Sequence, residues 1–326
     1  MPSRLVVSCD LSRLKMERPA GPAVYATAVL DLLSGSDVEV VGRRGASKAD
    51  AILSLDGRFR AGRGQRTVTA VLDLGHLFER RGYRPREWIA QNWRVASAAR
   101  RSDHLLAPSQ AVRFGLERYL RVRADRITVV AAAPRPCFRR PPRQQTEALC
   151  QRLGLPGRYF LFVGARAKRK NLGLLAEAWR LASPALGSEV GLVLAGSGTT
   201  GVPGACDLGF QPLQELPSLI AGAVAWVNPS LYEGCPVGAL EALACGTPAV
   251  VAATGAQPHA VGAAGLILDP HDAAQWAGAI VSLAREADLR GQLAAAALKA
   301  AAELRESAPR PQSLLRALSG EVGEET

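Results

Sequence analysis

Short runs of apolar residues, each bounded by polar residues or glycine, recur along the first 131 residues of the chain. The runs lack the alternation of a half-exposed strand, and this is typical of strands buried on both faces of a parallel sheet. Apolar residues at helical spacing follow several of the runs, and Ser109 is well suited to begin one helix as its N-cap. The predicted strands are 4–8, 38–41, 51–55, 67–72, 104–107 and 127–131, and the predicted helices are 23–33, 87–101 and 110–120.

Four prolines, at positions 134, 136, 141 and 142, interrupt this pattern and form the best candidate for a linker. The alternation then starts again, with a helix at 172–181 that Asn171 can cap. Strand and helix alternating twice across a proline-rich hinge predict two Rossmann-like domains. The further strands are predicted at 159–163, 191–195, 225–227, 249–251 and 266–268, and the further helices at 213–221, 239–244 and 273–287.

The predicted domains are an N-terminal one over residues 1–142 and a C-terminal one over residues 143–305. We expect a closing helix and tail, residues 306–326, to cross back to the first domain. Two doubly wound α/β domains facing one another would enclose a central cleft at the carboxyl ends of their strands, where open α/β sheets bind ligands. The loops that follow the strands are therefore the places to look for chemistry.

Composition agrees with two folded domains. The chain has 326 residues and a mass of 34.4 kDa, with 48% hydrophobic and 21% charged residues, which excludes a disordered protein. Its longest weakly polar stretch, 239–268, is broken by a glutamate and two prolines, so we expect no membrane span and a cytoplasmic protein. Six cysteines without a CxxC pair and four histidines without helical spacing give no reason to expect a metal site.

The net charge of +11 is unevenly distributed. Residues 1–143 carry 27 basic and 13 acidic residues, whereas residues 144–326 carry 13 and 16. One interpretation is that the first half meets an anion, such as a lipid headgroup or a phosphate. The other is an arginine-rich composition spread over a solvated face. Nucleic acid is a weaker choice of partner, because aromatic residues make up only 5% and no basic motif interleaved with aromatics is present.

Two loops of the second domain suit a phosphorylated ligand. Gly164-Ala-Arg-Ala-Lys-Arg-Lys-Asn171 combines a tight glycine turn, the free N–H groups of a helix start and four cations within five positions, which favours a diphosphate. A solvated basic surface loop is the alternative. Gly196-Ser-Gly198 indicates either a close backbone approach to a nucleotide or an ordinary glycine turn.

Two carboxylates, Glu233 and Glu241, stand eight residues apart after the predicted strand 225–227. The first lies in a Gly/Pro-rich loop and the second in the first turns of the next helix, where the dipole stabilises an anion. Carboxylates accept hydrogen bonds from vicinal hydroxyls well, so the pair can hold two sets of sugar hydroxyls. The alternative is a Glu241 that stabilises its helix terminus beside an unrelated Glu233.

The segment SLYEGCPVGALEALACGTPAVV resembles the Glu-x7-Glu motif of retaining glycosyltransferases of family 4, which have the two-domain GT-B fold. YFLFVGARAKRKNLGLLAEAW is similar to the Arg-Lys-Asn loop of that family, and SDHLLAPSQAVRFGLERYL to a helix of its N-terminal domain. The resemblance extends from about residue 20 to about residue 300. It is strong in the second domain and thinner in the first.

Members of that family move a sugar from a nucleotide-sugar to an acceptor hydroxyl, with retention of configuration and without a bound metal. The resemblance implies that Lys170, with Arg166 or Arg169, neutralises the leaving diphosphate. It also implies that Glu233 contacts the donor sugar and that Glu241 holds the ribose.

The resemblance further implies that a set of loop residues contacts the donor through the backbone. They are Gly21, Gly164, Gly196, Gly234, Cys235, Pro236 and Val237. The Arg-Lys-Asn form of the loop is similar to that of many mannosyl- and rhamnosyltransferases, which makes GDP-mannose the first guess for the donor. The expected partners are this donor and an acceptor that is anionic or lipid-linked, with the basic first domain resting on an anionic membrane. No metal, cofactor or nucleic acid is expected.

One departure from the family pattern bears on activity. Leu72 precedes Asp73 where the family usually has a histidine that helps at the reacting centre. Its absence favours an alternative, a non-catalytic GT-B nucleotide-sugar binder or partner subunit, against which the presence of Lys170, Glu233 and Glu241 argues. His76 is either a substitute for the missing group or an ordinary surface or core histidine. A GT-B epimerase or phosphorylase is a weaker rival, because its acid/base or phosphate residues are not evident.

Overall fold

The computed structural model describes residues 4–10, 21–60, 64–198, 201–306 and 311–320, and these form two compact units. One unit contains the described residues up to Ala133 together with the last helix, and the other begins at Pro134 and extends through residue 306. The predicted tail at 321–326 lies outside the described residues.

The first unit is built on a parallel sheet with the strand order β2-β1-β3-β4-β5-β6. All residues of β3 and β5 are buried, in agreement with the uninterrupted apolar runs of the sequence. Each of its strands begins or ends within two residues of a predicted run. The strands are β1 Leu5–Cys9, β2 Val38–Val41, β3 Ala51–Ser54, β4 Arg66–Ala70, β5 His104–Ala107 and β6 Ile127–Val129.

The second unit contains a parallel sheet with the strand order β12-β11-β10-β7-β8-β9. Strand β9 was not predicted, because it is a three-residue edge strand whose side chains are half-buried or exposed. The strands are β7 Arg158–Val163, β8 Val190–Ala195, β9 Ala205–Asp207, β10 Ala225–Asn228, β11 Ala249–Ala252 and β12 Gly265–Leu268.

The helices lie between the strands, as the alternation predicted. In the first unit they are α1 Gly21–Ser34, α2 Gly75–Phe78, α3 Pro85–Arg101 and α4 Gln110–Leu120. In the second unit they are α5 Arg143–Arg152, α6 Leu172–Ala182, α7 Leu216–Ala221, α8 Val237–Ala244, α9 Gln257–Val261, α10 Ala273–Arg285 and α11 Ala287–Glu306. The last helix, α12 Pro311–Ser319, packs against strands β3 to β6 of the first sheet. No helix among the described residues is long and apolar enough to cross a membrane.

Local signals explain several helix boundaries. The hydroxyl of Ser109 accepts a hydrogen bond from the Val112 N–H at 3.3 Å, which confirms the predicted N-cap of α4. Pro85 occupies the first turn of α3, where its missing N–H costs nothing. Helix α5 was not predicted. Leu149 is its one buried residue, so its sequence lacks the apolar periodicity that indicates a helix.

The two faces of strand β7 supply the two cores of the second unit. Phe160 and Phe162 pack with Trp276 in one core, whereas Tyr159 and Leu161 belong to the other. Alternation of side chains between the two faces of a strand produces this division. Helices on both faces therefore cover the sheet and leave the loops at its strand ends as the accessible part.

The proline-rich segment belongs structurally to the second unit. Phe138 is fully buried in a core of that unit, and its carbonyl oxygen accepts a hydrogen bond from Arg305 at 3.2 Å. The division thus falls between Ala133 and Pro134, whereas the sequence placed it after residue 142. A proline cluster excludes regular structure but does not show which core an aromatic residue within it will join.

Candidate functional site

Three glycine-containing loops of the second unit lie at the same edge of its sheet. They follow β7, β8 and β10, which are neighbours in the order β10-β7-β8. The strand order changes direction between β7 and β10, and an open α/β sheet binds ligands at such a switch point. The residues that the sequence singled out in these loops are therefore brought together by the topology.

The loops after β7 and β8 touch at Gly164 and Gly196. Gly196 has a φ of +138°, and a Cβ at this position would overlap the carbonyl oxygen of Gly164. Its N–H donates to the Gly209 carbonyl at 2.7 Å, which holds the backbone in place. Only glycine fits here, both for its backbone conformation and for the space available. The crossing places two backbone segments side by side at the sheet edge.

Lys170 and Arg169 converge on Glu233 across 63 and 64 residues of sequence. The Lys170 Nζ donates to Glu233 Oε1 at 2.5 Å, and the Arg169 Nη1 donates to the same oxygen at 3.3 Å. A backbone hydrogen bond from Leu231 to the Arg169 carbonyl, 2.8 Å long, joins the two loops directly. Glu233 is only 8% exposed, whereas the side chains of Lys170 and Arg169 are partly exposed, so a buried anion is held by two cations at the protein surface.

The charges of this cluster determine the protonation of Glu233. Burial by itself would raise the pKa of the carboxyl group. Lys170 and Arg169 outweigh that effect and lower the pKa of Glu233 from 4.5 to about 2. The carboxylate is therefore ionised at neutral pH. The Lys170 ammonium has three N–H donors and uses one of them for Glu233, so it can still donate to an anionic ligand.

A buried polar network holds the loop that carries Glu233. Asn228 donates to Gln257 at 2.9 Å and accepts from the Ser230 hydroxyl at 2.6 Å, while Thr254 donates to the Ser230 carbonyl at 2.8 Å. Gly255, with a φ of +55°, lies so close to the Glu233 backbone that a Cβ there would collide with it. These contacts set the backbone of Glu233 before any ligand binds.

Asn171 takes part in a way that differs from the prediction. Its φ of +53° puts it in the left-handed region, which asparagine tolerates better than most residues. Its side-chain amide donates to the Pro270 carbonyl at 2.8 Å and makes no cap hydrogen bond to α6. Asn171 is the N-cap residue of α6, as predicted, but its side chain does not make the capping hydrogen bond. It instead turns the chain after Lys170 and ties it to the loop that follows β12.

Glu241 lies in α8 and is bound by a residue that sequence reasoning missed. Arg135 donates to both carboxylate oxygens, with Nε to Oε1 at 2.5 Å and Nη2 to Oε2 at 3.2 Å. The Arg135 guanidinium also lies over the ring of Phe138, 4.7 Å from its centroid. Glu241 is 6% exposed, and burial raises its pKa despite the opposing effect of Arg135. No local signal links residues 106 positions apart.

The segment from Gly234 to Val237 joins the two glutamates. Gly234, Pro236 and Val237 are buried and Cys235 is half-buried. The N–H of Val237 donates to the Cys235 carbonyl at 2.9 Å in a tight turn, and Val237 is the first residue of α8. The predicted backbone contacts of this segment remain predictions.

The structure also locates Arg166 and Gly21, two further predicted donor contacts. Arg166 is exposed, and its Nη1 would be 3.1 Å from a Cβ placed on Gly201, so it lies along the loop after β8. Arg169, not Arg166, shares the carboxylate of Glu233 with Lys170. Gly21 is the exposed first residue of α1 in the first unit.

His76 is a core residue of the first unit. It is 2% exposed, and neither of its ring nitrogens has a hydrogen-bond partner among the described residues. Burial, with a smaller effect of Arg94, lowers its pKa to about 4, so the ring is neutral at pH 7. Across the part of the chain that the structure describes, no three His, Cys, Asp or Glu side chains form a group able to hold a metal.

Comparison with known proteins places the second-unit site in context. Residues 157–286 match the family "Glycosyl transferases group 1", and this range includes both glutamates and the Lys170 loop. The O-antigen chain mannosyltransferase B of Escherichia coli is 34% identical over 127 residues, which cover 35% of this chain and 33% of that protein. A D-inositol 3-phosphate glycosyltransferase of Salinispora arenicola is 36% identical over 178 residues, covering 47% of this chain and 40% of the relative. The matches thus span about a third to two fifths of these relatives.

Solved structures match over nearly the whole chain. Sucrose-phosphate synthase from Thermosynechococcus elongatus has a TM-score of 0.77 at 15% identity and covers 97% of this chain and 100% of its own. HepE of Anabaena, solved in complex with UDP-glucose, has a TM-score of 0.73 at 16% identity, with 97% and 99% covered. The chain therefore has the GT-B fold, and the segment of its second unit that holds Lys170, Glu233 and Glu241 matches the family "Glycosyl transferases group 1".

Proposed function

We propose that the protein is a glycosyltransferase that moves a hexose from a nucleotide-sugar to an acceptor hydroxyl, with retention of configuration and without a metal. The observation that carries the proposal is the convergence of Lys170 and Arg169 on buried Glu233, at the switch point of the second sheet. This cluster lies in the segment that matches glycosyl transferases group 1.

The reaction breaks the bond between the anomeric carbon and the diphosphate oxygen. The diphosphate leaves with the electron pair, and the acceptor oxygen forms the new bond on the same face while its hydroxyl proton passes to an oxygen of the departing diphosphate. Lys170 and Arg169 stabilise the charge that grows on the leaving group, which is the largest effect open to fixed charges in such a reaction. Glu233 holds the two cations in place and can accept hydrogen bonds from the donor sugar.

Glu241 can bind the ribose while it stays paired with Arg135. A carboxylate offers about four lone-pair positions, and Arg135 uses two of them. Two vicinal hydroxyls can therefore donate to the remaining positions. GDP-mannose is our first choice of donor, supported by the mannosyltransferase among the relatives; UDP-glucose, bound by HepE, is the first competitor to test.

The test is a screen of nucleotide-sugars by calorimetry, with release of free nucleotide followed in parallel. We expect one donor to bind and to be hydrolysed slowly without an acceptor. Lys170→Ala should lower the rate of nucleotide release at least tenfold while weakening binding much less, because it acts on the departing charge. Lys299→Ala removes an exposed lysine of α11 and serves as the matched control. Equal losses of rate and affinity in Lys170→Ala would show that the residue only docks the donor.

A specific observation favours a second candidate, a donor-binding protein without turnover. Leu72 stands in place of the usual histidine, and buried His76 does not present a ring nitrogen at the surface to replace it. Asp73 instead accepts a hydrogen bond from the Gly75 N–H at 2.6 Å, at the start of α2. Tight binding of a nucleotide-sugar with neither hydrolysis nor transfer would support this candidate and contradict the enzymatic one.

A further inference from the structure

An open groove of about 730 Å³ lies in the first unit, and its lining includes none of the residues discussed above as donor contacts. One wall is the segment that follows β3, and the other is a single face of α3. The residues of α3 that line it recur every three or four positions, as one helix face requires. The lining residues are Arg58, Phe59, Arg60, Arg86, Ile89, Ala90, Trp93, Arg94, Ser97 and Arg101.

The groove is strongly basic. Half of its lining residues are arginines, and none is acidic. Two arginines differ in how they are held: Arg60 donates to Asp10 at 2.8 Å and to Asp56 at 3.1 Å, whereas Arg86 makes no hydrogen bond or ion pair with any described residue. The Arg60 Nε is buried and has no hydrogen-bond partner among the described residues. Arg58 also approaches Asp56, at 3.9 Å, so part of the positive charge is balanced beside the groove. Guanidinium groups gathered on a concave wall whose lining has no carboxylate favour a phosphate or diphosphate.

The groove also has an apolar part. Trp93 is 70% exposed and Ile89 is 60% exposed, one helical turn apart on α3. A basic face that only contacts water has no use for large apolar side chains. Exposed apolar residues grouped beside a groove are instead typical of a binding site. Arg101 lies over the ring of Phe59, 4.4 Å from its centroid, which holds both side chains at the groove wall. The volume of the groove, about 730 Å³, is within the range of sites for small organic ligands.

We propose that this groove binds an organic phosphate or diphosphate that carries an apolar chain, the phosphate lying among the arginines and the chain against Trp93 and Ile89. The groove explains part of the positive charge of the first half of the sequence, because five of its arginines line one site. One consequence rests on the proposed function: the ligand is then the anionic, apolar end of the acceptor.

The experiment is a calorimetric titration of the full chain with farnesyl diphosphate, and separately with inorganic pyrophosphate and with farnesol. We expect farnesyl diphosphate to bind at least tenfold more tightly than either part alone. Arg86→Gln and Trp93→Ala should each weaken it about tenfold, because the first removes a charge-assisted hydrogen bond to the phosphate and the second removes the apolar contact with the chain. Arg140→Gln, which removes an exposed arginine of the second unit, is the matched control and should leave binding unchanged.

Three outcomes would overturn the proposal. Pyrophosphate binding as tightly as farnesyl diphosphate would remove the apolar part. Unchanged binding in both Arg86→Gln and Trp93→Ala would place the ligand elsewhere. Binding to vesicles of phosphatidylglycerol, lost in these variants, without binding of monomeric farnesyl diphosphate would show that the face docks on a membrane. Titrating the same samples with GDP-mannose and UDP-glucose keeps failure of the donor site separate, because that site lies in the second unit.

Discussion

At the scale of single residues, Glu233 and Glu241 are alike in burial and opposite in their electrostatics. Glu233 has a lysine and an arginine on one oxygen, whereas Glu241 has a single arginine spread over both. Burial raises the pKa of both groups, but only the two cations of Glu233 reverse that effect. The same residue type, eight positions apart, therefore has a lowered pKa in one place and a raised pKa in the other.

The lowered pKa of Glu233 makes stability depend on pH. In the folded protein its pKa is about 2 and in the unfolded chain about 4.5, so the unfolded state binds the proton first as the pH falls. Its contribution, on the order of 3 kcal/mol, is present above pH 4.5 and is lost between pH 4.5 and 2. Urea unfolding at pH 3, 4, 5 and 7 should show this loss in the wild type.

Lys170→Met should reduce the loss, because the folded pKa of Glu233 then moves back toward its ordinary value. Lys299→Met, on the exposed face of α11, should keep the wild-type profile. An unchanged pH profile in Lys170→Met would contradict the assignment of the lowered pKa to this ion pair.

Removing Arg135 should destabilise the second unit. Arg135→Met leaves Glu241 buried without its cation, and breaking a buried ion pair costs about 3–5 kcal/mol. The double variant Arg135→Met/Glu241→Met should recover most of this, because no unpaired charge then remains. Urea unfolding of the two single variants and the double variant measures the coupling. A loss below about 1 kcal/mol in Arg135→Met would mean that solvent reaches Glu241.

At the scale of elements, the site depends on how loops cross at the ends of strands. The loops after β7 and β8 are in contact at Gly164 and Gly196. In the loop after β10, the backbone of Glu233 packs against Gly255. Each contact is between backbones, which is why glycine occupies the crossing points. Lys170 reaches Glu233 because these three loops start from neighbouring strands.

Gly196→Ala should destabilise the protein by several kcal/mol, since both the backbone conformation and the overlap with Gly164 forbid a Cβ. Gly278→Ala is the control, and we expect it to change stability in the opposite direction. Gly278 is exposed within α10 and has open space at its Cβ position, so alanine there should stabilise by about 0.5–1 kcal/mol. The midpoints of thermal unfolding compare the two variants. A Gly196→Ala protein as stable as the wild type would show that the two loops can separate at Gly164 and Gly196 without loss of stability.

At the scale of the whole molecule, chemistry is divided between two units with separate sheets. The second, residues 134–307, contains the candidate donor site and is nearly neutral, with 15 basic and 13 acidic residues. The first contains the basic groove along α3.

Hydrogen exchange should separate the two sites. A bound nucleotide-sugar should slow exchange most at residues 164–171 and 228–241, because ligand contacts raise the cost of local opening. Farnesyl diphosphate should instead slow exchange most in α3 and in residues 57–60. Protection by the nucleotide-sugar confined to α3 would contradict the assignment of the donor to the second unit.

Local sequence patterns predicted most of the secondary structure. The apolar runs predicted eleven of the strands in the described residues, and helical spacing with a capping serine predicted α4. Strand β9 and helices α2, α5 and α9 were not predicted. Strand β9 and helix α5 bury too little apolar surface to leave a periodic signal, and α2 and α9 are only four and five residues long. The candidate donor loops were found from glycines at strand ends and from the spacing of two glutamates, both of which are local features.

The sequence by itself determined the two parallel sheets, the loops that carry chemistry and the identity of the charged residues in them, because these follow from periodicity and from short-range conformational preference. Only the tertiary structure decided which charges meet. In the folded protein Glu233 pairs with Lys170 and Arg169, and Glu241 pairs with Arg135. Phe138 packs in a core of the second unit, and five arginines line one groove of the first unit. These contacts join positions far apart in sequence, and their energies depend on distance and burial, which no local pattern contains.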